Sequence, residues 1–127
     1  MTSRILIVED EPIVALNYAA ILQEAGYESV GPVGSIKQGL DLIASEHLDG
    51  AVLDIDISGV PVDPIIVALR AKRVPYVFVS AYPDRAEPYG NAIFVEKPCT
   101  AAQLIAAVKR LVPTHEATVT APVVDAR

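Results

Sequence analysis

Five short runs of aliphatic and β-branched residues, separated by stretches of helical periodicity, limit what this chain can fold into. The first run, Arg4-Ile5-Leu6-Ile7-Val8, is apolar without alternation. That is the pattern of a strand covered on both faces. Pro12 falls at a first helical position, where its missing N–H costs nothing. Val14, Tyr18, Ile21, Leu22 and Ala25 then recur at helical spacing until Gly26. A second strand is expected over residues 28–33, interrupted by Gly31 and Pro32. Ser35 to Gln38 reads as a capping box that opens a helix carrying Ile36, Leu40 and Ile43. Residues 50–54 read as a third strand ending in acid. Asp63-Pro64 is expected to cap and start a helix running to Lys72. Its Ile65-Ile66-Val67-Ala68-Leu69 is apolar nearly all round, which fits deep burial or a partner surface. Strands are expected over 74–79 and 92–95. Thr100 to Gln103 is a second capping box, before a stripe of Leu104, Ile105, Val108, Leu111 and Val112.

Strand and helix thus alternate five times, which predicts an α/β, doubly wound sheet of five parallel strands with helices on both faces. The segment between the fourth and fifth strands holds Pro83, Pro88 and Gly90, so a short or irregular fourth helix is expected. One domain is expected over residues 1–112. Residues 113–127, with Pro113 and Pro122 and no helical period, read as a flexible tail with no output domain. Of the 127 residues 52% are hydrophobic and 20% charged, which excludes a wholly disordered chain. No apolar run is long enough to span a membrane. The net charge of −6 lacks the basic footprint of a nucleic-acid binder. A single cysteine excludes a disulfide framework and, with no leader-like start, points to a cytoplasmic setting.

Sites in open α/β sheets lie beyond the carboxyl ends of the strands. There the first strand delivers Glu9, Asp10 and Glu11, the third Asp54 and Asp56, the fourth Ser80, and the fifth Lys97 before Pro98. Carboxylates crowded at one mouth repel one another. A hard divalent cation relieves this, and oxygen donors with retained waters suit Mg²⁺. A carboxylate beside such an ion and a lysine can attack a phosphoryl group.

On Ile5-Leu-Ile-Val-Glu9-Asp10-Glu11-Pro12, Val52-Leu-Asp54, Val77-Phe-Val-Ser80-Ala81 and Glu96-Lys97-Pro98, residues 4 to about 112 resemble the response-regulator receiver family. The resemblance implies a flavodoxin-like strand order 2-1-3-4-5. It makes Asp54 the phosphoacceptor, with Mg²⁺ held by Glu9, Asp10, Asp54 and the backbone carbonyl of Asp56. Ser80 matches the switch hydroxyl, Lys97 the lysine of the motif, and Phe94 the aromatic that changes rotamer. Lys97–Pro98 matches a cis bond usual in the family. The implied partner is a histidine kinase or histidine phosphotransfer protein, and the implied state a monomer or weak homodimer. Two departures stand out: Ile57-Ser58-Gly59 replaces the usual Met-Pro or Leu-Pro, and Lys97 comes only seventeen residues after Ser80. The proline pattern resembles alphaproteobacterial single-domain receivers with a Phe-Ala-Thr-Gly motif, here altered to Phe78-Val79-Ser80-Ala81.

The reading is therefore a stand-alone receiver that takes a phosphoryl group from a phosphohistidine and switches partner binding or passes the group on. It is expected to catalyse only its own phosphotransfer and dephosphorylation. Two alternatives remain open at this stage. Asp54-Ile55-Asp56 also resembles the Asp-x-Asp motif of haloacid-dehalogenase-type phosphatases, although that motif normally ends a first strand. A receiver that is never phosphorylated and serves only as an interaction module is the other. Tyr82, two residues after Ser80, either restricts water at the site or is plain surface. Cys99 reads as a filler beside a helix cap, and His47 and His115 as surface.

Overall fold

The computed structural model describes residues 2–90 and 92–112; the expected tail lies outside them. The main sheet contains β1 (Arg4–Val8), β2 (Glu28–Val33), β3 (Gly50–Leu53), β6 (Tyr76–Ser80) and β7 (Ile93–Glu96). Every pairing in it is parallel, and the order is β2-β1-β3-β6-β7, the expected 2-1-3-4-5. Two further short strands, β4 (Asp56–Ile57) and β5 (Val60–Pro61), form an antiparallel hairpin just beyond β3. The helices are α1 (Pro12–Glu24), α2 (Ile36–Ser45), α3 (Asp63–Ala71) and α4 (Ala101–Leu111).

The apolar runs divide between two cores by simple alternation. Ile5, Ile7, Val52, Val77 and Val79 face α1 and α4, packing with Tyr18, Leu22, Leu104 and Val108. Leu6, Val8, Leu53 and Phe78 face α2 and α3, packing with Ile43, Ile65, Ile66 and Leu69. Each central strand is thus buried on both faces, and no polar residue interrupts its run. In α3, Ile65, Ile66 and Leu69 are buried and Val67 is exposed, so three of its apolar residues serve the core.

Local signals mostly hold. Thr100 and Gln103 make the complete capping box: each side chain takes the other's backbone N–H, at 3.1 and 2.8 Å. The box at Ser35 is half made. Ser35 Oγ accepts the Gln38 N–H, but Gln38 Oε1 takes the Gly34 N–H and the Ser35 hydroxyl. Asp63 does not cap α3: the N-cap is Val62, and Asp63 Oδ1 instead accepts the Tyr89 hydroxyl at 2.7 Å. The α1 stripe is also rotated from expectation, with Ala15 and Ala19 buried beside Tyr18 and Leu22. Ile13 and Leu16 stand exposed at 84% and 62%.

Proline and glycine shape the sheet edges. The β1–β2 register slips by one residue between Leu6 and Val8, where Gly31 adopts φ +91° before a cis Gly31–Pro32 bond. A Cβ on Gly31 would lie 2.9 Å from Val33 N, so the bulge needs glycine. Pro75 has no N–H to give a ladder, and β6 begins at Tyr76 rather than Val74. The fourth crossover is one stretch of 3-10 helix, Pro83–Tyr89, with Pro88 inside it. Tyr89 packs on Phe78 at 4.9 Å between ring centroids and covers the sheet where a longer helix would lie.

Candidate functional site

The β1 ladder continues one residue past the strand, through Glu9 N–H to Val33 O at 2.9 Å, so Glu9 is held at the sheet's carboxyl end. Asp54 is fixed alike by its N–H to Val8 O at 3.1 Å, and Lys97 by its N–H to Ser80 O at 2.8 Å. Parallel strands therefore bring three charged residues from distant sequence to one mouth. Lys97 Nζ donates to Glu9 Oε1 at 2.8 Å and to Asp54 Oδ2 at 3.0 Å. Glu11 N–H donates to Glu9 Oε2 at 3.1 Å.

Burial pushes the Glu9 carboxyl above its ordinary pKa, against the opposing pull of Lys97 and the Glu11 N–H. For Lys97 burial alone would lower the pKa. Its hydrogen bonds to Glu9 and Asp54, and their charges, outweigh that and raise it. The ammonium therefore stays charged across the neutral range.

The hairpin completes the mouth. Ser58 and Gly59 form its two-residue turn, both with positive φ at +54° and +81°, the type I′ pattern that suits a tight hairpin. Ser58 N–H donates to Asp10 Oδ2 at 2.8 Å. Ile57 pairs with Val60, and Val62 N–H bonds Ile55 O at 3.0 Å. By antiparallel alternation, the intervening Asp56–Pro61 pair is the non-hydrogen-bonded one, and the Asp56 N–H and C=O both point away from β5. That N–H is directed at Asp54 Oδ1, at a long 3.5 Å. The Asp56 carbonyl thus lies on the Asp54 side of the hairpin.

Oxygen atoms of Glu9, Asp10 and Asp54 lie within 4.8 Å of one another. A polar cavity of about 270 Å³ opens beside them, lined by residues including Asp10, Asp54, Asp56, Tyr82 and Lys97. Hard oxygen donors with excess negative charge around room for water are the donor set Mg²⁺ takes. A larger, apolar cavity of about 540 Å³ shares Lys97 and Ala81 with this mouth and is walled by Ile13, Val14, Tyr18 and Cys99.

The remaining expected residues stand as follows. Ser80 is buried at the end of β6, and its hydroxyl accepts the Tyr82 N–H at 3.2 Å. Phe94 is half-buried against the Phe78 face of the sheet. The Lys97–Pro98 bond is cis. Tyr82 is exposed on the cavity rim. His47 is exposed and pairs with Asp49; His115 lies outside the described residues. Sequence reasoning missed the Ser58 N–H, although Ser-Gly between Ile57 and Val60 is a turn signal. It also missed Arg85, whose Nη1 lies 2.7 Å from Asp56 Oδ2. No local pattern marks that pair.

The family model for the response regulator receiver domain matches residues 5–109. The chain belongs to the receiver family. It is 27% identical over 116 residues to the phyllosphere-induced regulator PhyR of Methylorubrum extorquens, covering 87% of this chain and 43% of that protein. It is 28% identical over 112 residues to the transcriptional regulatory protein PdtaR of Mycobacterium tuberculosis, covering 84% of this chain and 55% of that protein. This receiver therefore spans about half the length of those two relatives. A solved receiver protein from Sinorhizobium medicae superposes with a TM-score of 0.79 at 29% identity, covering 87% of this chain and 94% of that one. Among the described residues no helix is long and apolar enough to cross a membrane.

Proposed function

We propose that this receiver accepts a phosphoryl group on Asp54 from a phosphohistidine, with Mg²⁺ bound, and answers by changing what it binds or by passing the group on. The observation that carries the reading is the convergence of Glu9, Asp10 and Asp54, with Lys97 bridging two of them. Glu9, Asp10, Asp54 and the Asp56 carbonyl are the groups that would hold the ion. The ion supplies neutralisation of charge on the transferring oxygens.

An Asp54 carboxylate oxygen attacks phosphorus, the P–N bond to the donor histidine breaks, and the electron pair leaves with the imidazole. Asp54 Oδ2 already engages Lys97, whose ammonium can follow the charge onto the phosphoryl oxygens. Ser80 turns its hydroxyl from the Tyr82 N–H toward a phosphoryl oxygen, and Phe94 on the neighbouring β7 repacks with it; both are the switch residues of this reading. Tyr82 stands where it can screen the product from water. The donor is a histidine kinase or histidine phosphotransfer protein, and exposed Ile13 on α1, in the apolar cavity that shares Lys97 with the mouth, offers it apolar area.

Incubation with acetyl phosphate and Mg²⁺, followed by mass spectrometry, tests this. One phosphoryl adduct is expected, located at Asp54. Asp54→Asn should stay folded and take none, because that side chain lies at the mouth and not in the core. An unchanged adduct in Asp54→Asn would refute the assignment. Sustained turnover of p-nitrophenyl phosphate would instead favour the phosphatase reading.

A further inference from the structure

The short crossover after β6 brings a second cation to the mouth. Arg85, on the 3-10 segment Pro83–Tyr89, reaches across to the β4–β5 hairpin and pairs with Asp56 Oδ2 at 2.7 Å. The same guanidinium lies over the Tyr82 ring, 4.6 Å from its centroid. The Arg85 N–H closes a turn onto Tyr82 O at 3.0 Å, so backbone and side chain both tie the two residues together. Asp56 and Tyr82 each line the polar cavity that contains Asp54. Arg85 therefore joins two walls of the mouth. At the segment's far end Tyr89 bonds Asp63, just past the same hairpin, at 2.7 Å. The segment is thus pinned to the hairpin through Arg85 and to the start of α3 through Tyr89.

Hydrolysis of an aspartyl phosphate needs a water oxygen in line with the bond that breaks. Water attacks phosphorus, the bond to the Asp54 oxygen breaks, and the electron pair returns to the carboxylate. Inorganic phosphate and a proton leave. Such a water reaches Asp54 through the polar cavity, whose lining includes Asp56 and Tyr82, the two residues that Arg85 ties together.

We propose that Arg85 is a positioning residue: by pairing with Asp56 and stacking on Tyr82 it holds the crossover segment over the mouth and lengthens the life of the phosphorylated state. The inference rests on the reading that Asp54 is the phosphoacceptor. Arg85 acts through Asp56 and Tyr82 and touches no reacting atom. Both partners of the ion pair are partly exposed, so its release shifts the closed–open balance only modestly.

The test follows loss of the Asp54 adduct after acetyl phosphate is removed, in the native protein and in Arg85→Ala, Asp56→Asn, the double variant and Arg85→Lys. Arg85→Ala and Asp56→Asn should each lose phosphate about two- to fivefold faster than native. The double variant should be no faster than the quicker single one, because both changes open the same latch. Arg85→Lys keeps the charge and should recover part of the lifetime. Amide hydrogen exchange over residues 82–90 should rise in Arg85→Ala and fall back in Arg85→Lys. An unchanged or longer lifetime in Arg85→Ala, or additive effects in the double variant, overturns the latch while leaving Asp54 as acceptor. No adduct in the native protein overturns the acceptor reading and the latch with it.

Discussion

With its ammonium 2.8 Å from Glu9 and 3.0 Å from Asp54, Lys97 bridges two carboxyl groups at adjoining strand ends. Glu9 is the more dependent of the two, because its carboxylate is almost wholly removed from water. A buried charge that loses its partner bears its full desolvation cost. Lys97→Met should therefore destabilise the fold by about 1–3 kcal/mol, read as a lower urea midpoint. Adding Glu9→Gln to Lys97→Met should restore part of that loss, since a neutral amide needs no cation. A Lys97→Met protein that unfolds at the native midpoint would show that water, not Lys97, solvates Glu9. Glu9 and Asp54 were legible in the sequence because each directly follows an apolar run, and Lys97 because it stands between the end of such a run and Pro98. Arg85 and the Ser58 N–H were not, because their roles depend on partners far away in the chain.

At the scale of elements, the β4–β5 hairpin does what a longer loop would do less firmly. It aims the Ser58 N–H at Asp10 and turns the Asp56 carbonyl to the Asp54 side. Gly59 sits at φ +81°, a conformation that a β-branched residue resists by roughly 1–3 kcal/mol. Gly59→Val should distort the turn and weaken Mg²⁺ binding, measured by isothermal titration with MgCl₂. Ser58→Gly keeps the backbone N–H at a φ glycine accepts readily, so its Mg²⁺ affinity should match native. Equal loss in both variants would mean the hydroxyl, not the backbone, serves Asp10. The sequence reading assigns no element between residue 54 and Asp63 and so misses this hairpin, since two-residue strands carry almost no periodicity. The shortened fourth crossover was legible, because Pro83, Pro88 and Gly90 oppose any regular helix there.

For the whole molecule in strong alkali, three of the described groups whose ordinary pKa is 10 or higher hold their protons more tightly folded than unfolded. Burial, then the hydrogen bond to Asp63, pushes the Tyr89 hydroxyl from 10.0 up to about 12. Burial raises Tyr18, and the carboxylates around Lys97 raise it despite burial. As pH rises above 10 the unfolded chain gives up these protons first, so it binds fewer than the native state and stability falls. Lys97's share is fully present below its ordinary 10.5 and is lost as pH climbs through its higher folded value. Urea midpoints should accordingly drop between pH 10 and about 12, and Tyr89→Phe should flatten the drop. An equally steep fall in Tyr89→Phe would assign the effect to the other groups. What the sequence by itself determined is the order of elements, the double-sided burial of the strands and the placing of acid and lysine at their ends. Those features follow from local preferences: β-branched runs, caps, and prolines without an N–H. Only tertiary structure decided which oxygens meet Lys97, that Val62 and not Asp63 precedes α3, and that Arg85 closes on Asp56. Each is a choice among polar partners that become neighbours only after the sheet assembles, and nothing within a few residues of any of them favours one partner over another.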